Sequence, residues 1–228
     1  AQVQDRVCPP AFQRREFKTA FALPPSNDVD IFSQDLGFIA IVGDDGRLAG
    51  YNVTVGGGLG MSHGNEKTFP RLADVLGFIA PEHVNAIGHA VLTTQRDYGD
   101  RTDRKHARLK YVVQERGVDF VRAEIEQRAG VKHAPAKPFQ FTTTSDTLGW
   151  HQALDETHFL TLFVETGRVK DVDSQRMKTA LRRVAEKFSN IEFRLTANQN
   201  VILANVSATD KTAVTALLAE HGVRTDKQ

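Results

Sequence analysis

Residues 174–222 read SQRMKTALRRVAEKFSNIEFRLTANQNVILANVSATDKTAVTALLAEHG, and their periodicity sets the fold class. Met177, Ala180, Leu181, Val184 and Phe188 recur every three to four residues, which predicts an amphipathic helix with Ser174 as its N-cap. IEFRLTA (191–197) and NVILANV (200–206) then read as strands, and DKTAVTALLAEHG (210–222) as a helix ended by Gly222. HFLTLFVETG (158–167) supplies a strand upstream. The order β-α-β-β-α predicts a ferredoxin-like α+β unit. Such a unit leaves a sheet edge bare, and bare edges recruit neighbours. The expected cover is a second copy or the N-terminal residues 1–14.

Upstream, FKTAFAL (17–23) reads as a strand stopped by Pro24 and Pro25. FIAIVGDDGRLAGYNVTVGGG (38–58) reads as strand, turn and strand, because apolar runs flank an Asp-Gly pair. A short helix is expected around Arg71–Leu76 and a longer one over 82–95, opened by Pro81. Two more follow, from near Arg104 to about Gln114 and over VDFVRAEIEQRAG (118–130). The Pro- and Thr-containing stretch 131–150 reads as a connection with a possible short strand at 139–142. The domain reading is a tail or linker at 1–14, a first domain at 15–140, a linker at 141–156 and a half-domain at 157–228.

With 228 residues, 40% of them hydrophobic, the chain can bury a real core. A net charge of +1 provides no global field for nucleic acid or membrane, so any electrostatic function is local. No apolar run approaches the ~20 residues of a membrane span, and no secretory segment opens the chain. A single cysteine, Cys8, fits a reducing, cytoplasmic setting, and no His/Cys spacing suggests a metal site.

Local charge is concentrated in TTQRDYGDRTDRKHARLKY (93–111), where six Lys/Arg and one His lie between Arg96 and Lys110 with three Asp. This is either a solvated charged face or a site for a strongly anionic ligand. On a helix, Arg108 and Lys110 diverge by about 200°; on an extended chain they point the same way. Only Tyr98 and Tyr111 are near enough to serve as stacking platforms, which argues against single-stranded nucleic acid. VGGGLGMSHGN (55–65) bends the chain but matches neither a dinucleotide nor a P-loop fingerprint. In FRLTANQN (193–200), Arg194, Thr196, Asn198 and Asn200 alternate onto one strand face, as donors for carboxylates or as an ordinary polar surface.

Six segments carry a resemblance together: FKTAFALPPSNDVDIFSQDLGFIAI, GYNVTVGGGLGMSHGNEKT, TTQRDYGDRTDRKHARLKY, RAEIEQRAGVK, HFLTLFVETGRV and FRLTANQNVILANV. In order and spacing the chain resembles hemoproteins of the sulfite and nitrite reductase family. The resemblance implies an α+β architecture, a siroheme-lining domain followed by a ferredoxin-like half-domain. It implies six-electron reduction of sulfite to sulfide, at a siroheme bridged by cysteine sulfur to a 4Fe-4S cluster. Electrons would come from an NADPH-dependent flavoprotein subunit; nucleic acid and membrane are not implied partners. Residue by residue it implies sulfite contacts at Arg15, Arg108 and Lys110, with Arg108 standing where the family has Lys. Arg keeps the charge but is a poorer proton donor. Siroheme contacts are implied at Arg96, Arg101, Arg104, Arg194, Thr196 and Asn198. The family's cluster cysteines have no counterpart here, so the chain reads as a central fragment that by itself holds neither cofactor and is inactive. The alternative is a non-catalytic tetrapyrrole- or anion-binding module. Without siroheme the cations are expected to face an empty cleft, leaving 96–110 mobile or holding a buffer anion.

Overall fold

The computed structural model describes residues 17–100, 102–153 and 155–226, and the chain divides into two units, 1–144 and 145–228. In the first unit the strands β1 (Thr19–Ala22), β2 (Leu36–Val42), β3 (Leu48–Val55) and β4 (Asp74–Ile79) form one sheet in that order. β1 runs parallel to β2, and the other pairings are antiparallel. The helices α1 (Val84–Tyr98), α2 (Leu109–Arg116) and α3 (Val118–Ala129) supply the rest of the core. Leu36, Phe38, Val53 and Val55 from the sheet pack with Ile87, Val91, Leu109, Val112, Val113, Val121 and Ile125. Nearly every one of these is fully buried, so strand and helix periodicities meet in one apolar layer.

The helix expected around Arg71–Leu76 is instead the approach to β4. Arg71 pairs with Gly58 through both backbone groups, and the chain then enters the sheet beside β3. Gly77, at φ 148°, sits where a Cβ would meet the Ala134 carbonyl at 2.5 Å. Close approach of the 133–134 backbone, which bonds Phe78 on both sides, requires glycine there. The helix expected from Arg104 is a single 3-10 turn, Arg104–His106, and α2 begins only at Leu109. Asp103 starts that turn by accepting from the Lys105 amide, and the Ala107 carbonyl accepts from the Gln95 side chain. No strand forms at 139–142. Phe139 and Phe141 pack there against Phe32, beside a single bridge between Ser26 and Thr143.

In the second unit β5 (Gly149–Gln152), β6 (His158–Leu162), β9 (Glu192–Leu195) and β10 (Val201–Val206) form a sheet in the order β5-β6-β10-β9. α4 (Met177–Lys187) and α5 (Lys211–Glu220) cover it, with Leu160, Leu162, Leu203, Val184, Val214 and Leu218 in the core. A small hairpin, β7 (Asp171–Val172) and β8 (Gln175–Arg176), precedes α4. Ser174 does not cap α4. Its N-cap position is Arg176, and Asp171 accepts from the Thr179 amide and hydroxyl instead. The stretch read as a linker, 141–156, contains β5, which covers the β6 edge by an antiparallel pairing. That edge is therefore covered by the chain just upstream of β6. β9, at the other margin, has a partner strand only on its β10 side among the described residues.

Candidate functional site

The basic segment and the glycine run meet in the first unit. Arg108 is the N-cap of α2 in extended conformation, and Lys110 is the second helical residue. The two side chains converge on the glycine loop from different positions. Arg108 donates through Nε to Asp35 Oδ1 at 3.1 Å, and its Nη2 lies 2.9 Å from Asp35 Oδ2 and 3.2 Å from the Gly57 carbonyl. Lys110 is 1% exposed and donates to the carbonyls of Gly58 at 3.1 Å, Gly60 at 2.8 Å and Phe69. Arg71 donates to the Gly56 carbonyl at 3.1 Å. The backbone amides of Gly56, Gly57 and Gly58 already bond Asp35, Gln34 and Arg71 carbonyls. The polarity is thus opposite to that of a phosphate loop, because its carbonyls, not its amides, receive the cations. The glycines make this possible: a Cβ on Gly58 would lie 2.6 Å from the Arg108 guanidinium, and one on Gly57 would strike the Phe32 carbonyl at 2.2 Å.

Burial shifts the titrations. It pushes the Asp35 carboxyl up, against the pull of Arg108 and of the Lys18 amide. It pushes the Lys110 ammonium down, helped by neighbouring Arg108 and opposed by Asp35. A hollow of about 260 Å³ lies beside this arrangement, lined by Gly60, Met61, Ser62, Thr68, Lys105, Arg108 and Tyr111. Its lining includes the apolar Met61. Leu59 is 56% exposed and Met61 64% exposed, and Leu72, next to the Gly58–Arg71 bridge, is 64% exposed.

The remaining expected residues do not join this group. Arg15 and Arg101 lie outside the described residues, and for Arg104 only the backbone of its turn is described. Arg96 forks onto Asp97 with contacts of 2.7 and 3.2 Å. Asp97 also takes Arg128 at 2.6 Å, and its carboxyl is held at about 2, chiefly by the Arg96 hydrogen bond. Arg96 and Arg108 are therefore each paired with a carboxylate, Asp97 and Asp35, while Lys110 is turned onto carbonyls and Lys105 shares the hollow with Arg108.

In the second unit the alternating strand face ends at Leu195, because residues 196–200 turn. The Thr196 amide bonds the Asn200 carbonyl, and Gln199 adopts φ 65°. The polar side chains converge nonetheless, on Asp146. Thr196 Oγ1 donates to it at 2.5 Å, Asn198 Nδ2 at 3.1 Å and Asn200 Nδ2 at 2.8 Å. Arg194 stands apart, paired with Glu192 at 2.7 Å. Asp35 and Asp146 were not singled out from the sequence. Asp35 and Arg108 are 73 positions apart, and no local pattern announces such a pair. Asp146 did carry a signal, as a lone acid in a Thr-rich stretch.

A domain of this architecture, followed by a ferredoxin-like half-domain, defines a class. Residues 11–133 match the nitrite and sulphite reductase 4Fe-4S domain, and residues 151–221 the nitrite/sulfite reductase ferredoxin-like half domain. The chain belongs to the nitrite and sulfite reductase family. It is similar to the sulfite reductase [NADPH] hemoprotein beta-component of Geobacillus kaustophilus, with 47% identity over 96% of this chain and 38% of that protein. The protein of the same name from Methylobacterium radiotolerans is 51% identical over 92% of this chain and 34% of its own length. The chain thus spans between a third and two-fifths of these relatives. The Mycobacterium tuberculosis NirA structure shares the fold, with a TM-score of 0.72 at 22% identity over 89% of this chain and 35% of that one.

The two prosthetic groups implied by the family fit this chain differently. A cluster held by four cysteines does not fit, since the chain has one cysteine and the described residues contain no group of three or more His, Cys, Asp or Glu able to hold a metal. The hollow beside Arg108 and Lys105 does fit a carboxylate or a small oxyanion, such as one acidic arm of a larger ligand. No helix among the described residues is long and apolar enough to cross a membrane.

Proposed function

We propose that the chain supplies the cationic wall of a sulfite-reducing hemoprotein, with Arg108 and Lys105 facing the anion and Lys110 holding the loop that shapes the wall. The observation carrying this reading is the hollow itself, lined by Lys105 and Arg108, in a chain about half identical to sulfite reductase hemoproteins. Siroheme, when bound, would supply the iron at which sulfite is reduced to sulfide by six electrons. Electrons would come from an NADPH-dependent flavoprotein partner. Arg108, fixed at both ends of its guanidinium fork by Asp35, is preorganised to hold negative charge without reorganising during reaction. It is a poor proton donor. Lys110 has its described hydrogen bonds on carbonyls, so proton delivery from it requires one of those contacts to open. Lys105 is exposed on the same hollow and can meet an anion without that step.

The test uses the whole protein that contains this chain, in a reduced-viologen sulfite assay. Arg108→Ala is expected to lower turnover on the order of 10²-fold or more, as for loss of one oriented donor. Lys110→Ala is expected to fall comparably, through the loop. Wild-type turnover in both variants would overturn the reading. Sulfite or siroheme binding with no turnover in the wild-type protein would favour a non-catalytic anion- or tetrapyrrole-binding module.

A further inference from the structure

We propose that Asp35 is a positioning residue of the cationic wall, which aims the Arg108 guanidinium and holds the wall's affinity for an anion below what its cations alone would give. The inference rests on the hollow taking an anion, as proposed above. Asp35 directly precedes β2, and its side chain is 1% exposed. Its Oδ1 accepts from Arg108 Nε at 3.1 Å. Its Oδ2 accepts from the Lys18 amide at 3.1 Å and lies 2.9 Å from Arg108 Nη2. A guanidinium held at two points by one carboxylate has a fixed plane. Nη2 is also bound to the Gly57 carbonyl at 3.2 Å. Nη1 makes none of the described hydrogen bonds, and a Cβ on Gly58 would lie 2.6 Å from it. The Arg108 side chain is 20% exposed and lines the hollow, so the pair has its negative end inside and its positive end at the site.

Anchoring and tuning are separable roles for such a carboxylate. Anchoring the Lys18 amide needs one oxygen, which a neutral asparagine would also supply. The charge itself is costly there, since burial pushes the carboxyl up against the pull of Arg108 and the Lys18 amide. What the charge adds is its effect on Arg108. An opposite charge in direct contact cancels much of the guanidinium's field at the hollow while leaving its donors in place. Binding that is equally strong before and during reaction lowers KM without raising kcat. A wall that is well aimed but partly neutralised avoids that trap: it orients an anion and still lets it exchange.

The test is Asp35→Asn. It keeps the shape and one oxygen for the Lys18 amide, removes the charge, and sets an NH2 group against an Arg108 donor. Arg108 is partly exposed, so water can meet the released guanidinium. In the 228-residue chain, sulfate titration followed by chemical-shift change at Ser62 and Thr68 should show binding about three- to tenfold tighter in the variant, with a steeper salt dependence. The Arg108 Nε–H signal, slow to exchange in the wild-type chain, should exchange fast in the variant. In the whole protein that contains this chain, the reduced-viologen assay should give a lower KM for sulfite together with a kcat about tenfold lower, because the donor is no longer aimed. A purely structural role predicts lower kcat with equal or weaker anion binding, and that result would overturn the inference. So would an Arg108 Nε–H that exchanges in the wild-type chain as fast as in a fully hydrated arginine, a measurement that decides the matter whether or not the variant folds. Sulfate that leaves Ser62 and Thr68 unmoved in the wild-type chain would overturn the proposed function and this inference with it. Binding in the wild type without tightening in Asp35→Asn would overturn this inference alone.

Discussion

The glycine loop of the first unit and the 196–200 turn of the second solve the same problem in opposite ways. At the loop, cationic side chains arrive from α2 and satisfy backbone carbonyls, with one buried carboxylate as counter-charge. At the turn, a carboxylate arrives from the upstream segment and is satisfied by a hydroxyl and two amides. Burial makes the difference in energy. Lys110 is fully enclosed, whereas Asp146 is half-buried and Asn198 exposed. In a low-dielectric site an unmade contact costs far more than at a wet surface. The loop is thus expected to be rigid and intolerant of change, and the turn tolerant. Residues that look alike as sequence, a basic run and a polar run, differ because one is inside.

The largest effect is expected from Lys110→Met, which keeps the length of the side chain and removes the charge. It leaves the Gly58, Gly60 and Phe69 carbonyls without the Lys110 donor. At about 1–3 kcal/mol per buried polar group, partly relieved by loop adjustment, unfolding of the first unit should be easier by about 3–4 kcal/mol. Urea denaturation of the chain measures this. A loss below about 1 kcal/mol would show that the loop carbonyls are readily hydrated. Asp146→Ala should cost the second unit less, about 1–2 kcal/mol, because water can replace the carboxylate at Thr196 and Asn198. Equal costs at the two positions would remove the contrast between the regions.

Much of this was legible in the residues. The periodicities of 174–188 and 118–130 gave α4 and α3, and the Asp-Gly turn gave the β2–β3 hairpin. What failed did so for stated physical reasons. β4 is a six-residue strand with a glycine in the middle, and only the approach of the 133–134 backbone makes that glycine sensible. β5 lies in a Thr- and Pro-containing stretch and is a strand because the β6 edge is there to pair with it. At the site, the alternative posed by Arg108 and Lys110, helix or extended chain, resolved into one residue of each kind. The Asp35 partner was invisible, since a contact across 73 positions leaves no local trace.

Acid offers a milder test on a third cluster, around the exposed carboxylate of Asp97. Asp97 takes Arg96 and Arg128 and is held at about 2, below the usual 3.8. A depressed carboxyl stabilises the fold above its unfolded pKa, and that contribution is lost as pH falls through the folded value. The window is therefore from about pH 4 down to about pH 2. The shift alone would correspond to about 2.5 kcal/mol, but the side chain is 37% exposed, and screening reduces the expected contribution to about 1 kcal/mol. Asp97→Asn should flatten that portion of the stability-against-pH curve of the first unit. A curve unchanged in slope would assign the acid sensitivity to other carboxylates, Glu126 first, which Lys132 and His133 also hold at about 2 against the upward push of burial.

The smallest structural effect is expected at Lys105. Its side chain is exposed on the hollow, so Lys105→Ala should change stability by no more than about 0.5 kcal/mol. Anion binding should respond differently. The hollow presents Lys105 beside Arg108, and Arg108 is already half-neutralised by Asp35, so Lys105 carries most of the uncompensated positive charge there. Titration with sulfite or sulfate, followed by chemical-shift change at Ser62, Thr68 and Tyr111, should show affinity falling several-fold in the variant and falling again with added salt. The pairing of an unchanged unfolding curve with a weakened titration separates a residue that faces the ligand from one, like Lys110, that builds the wall. Unchanged affinity in Lys105→Ala would assign the anion to Arg108 alone, and the rigid loop behind it would then be the whole of the site.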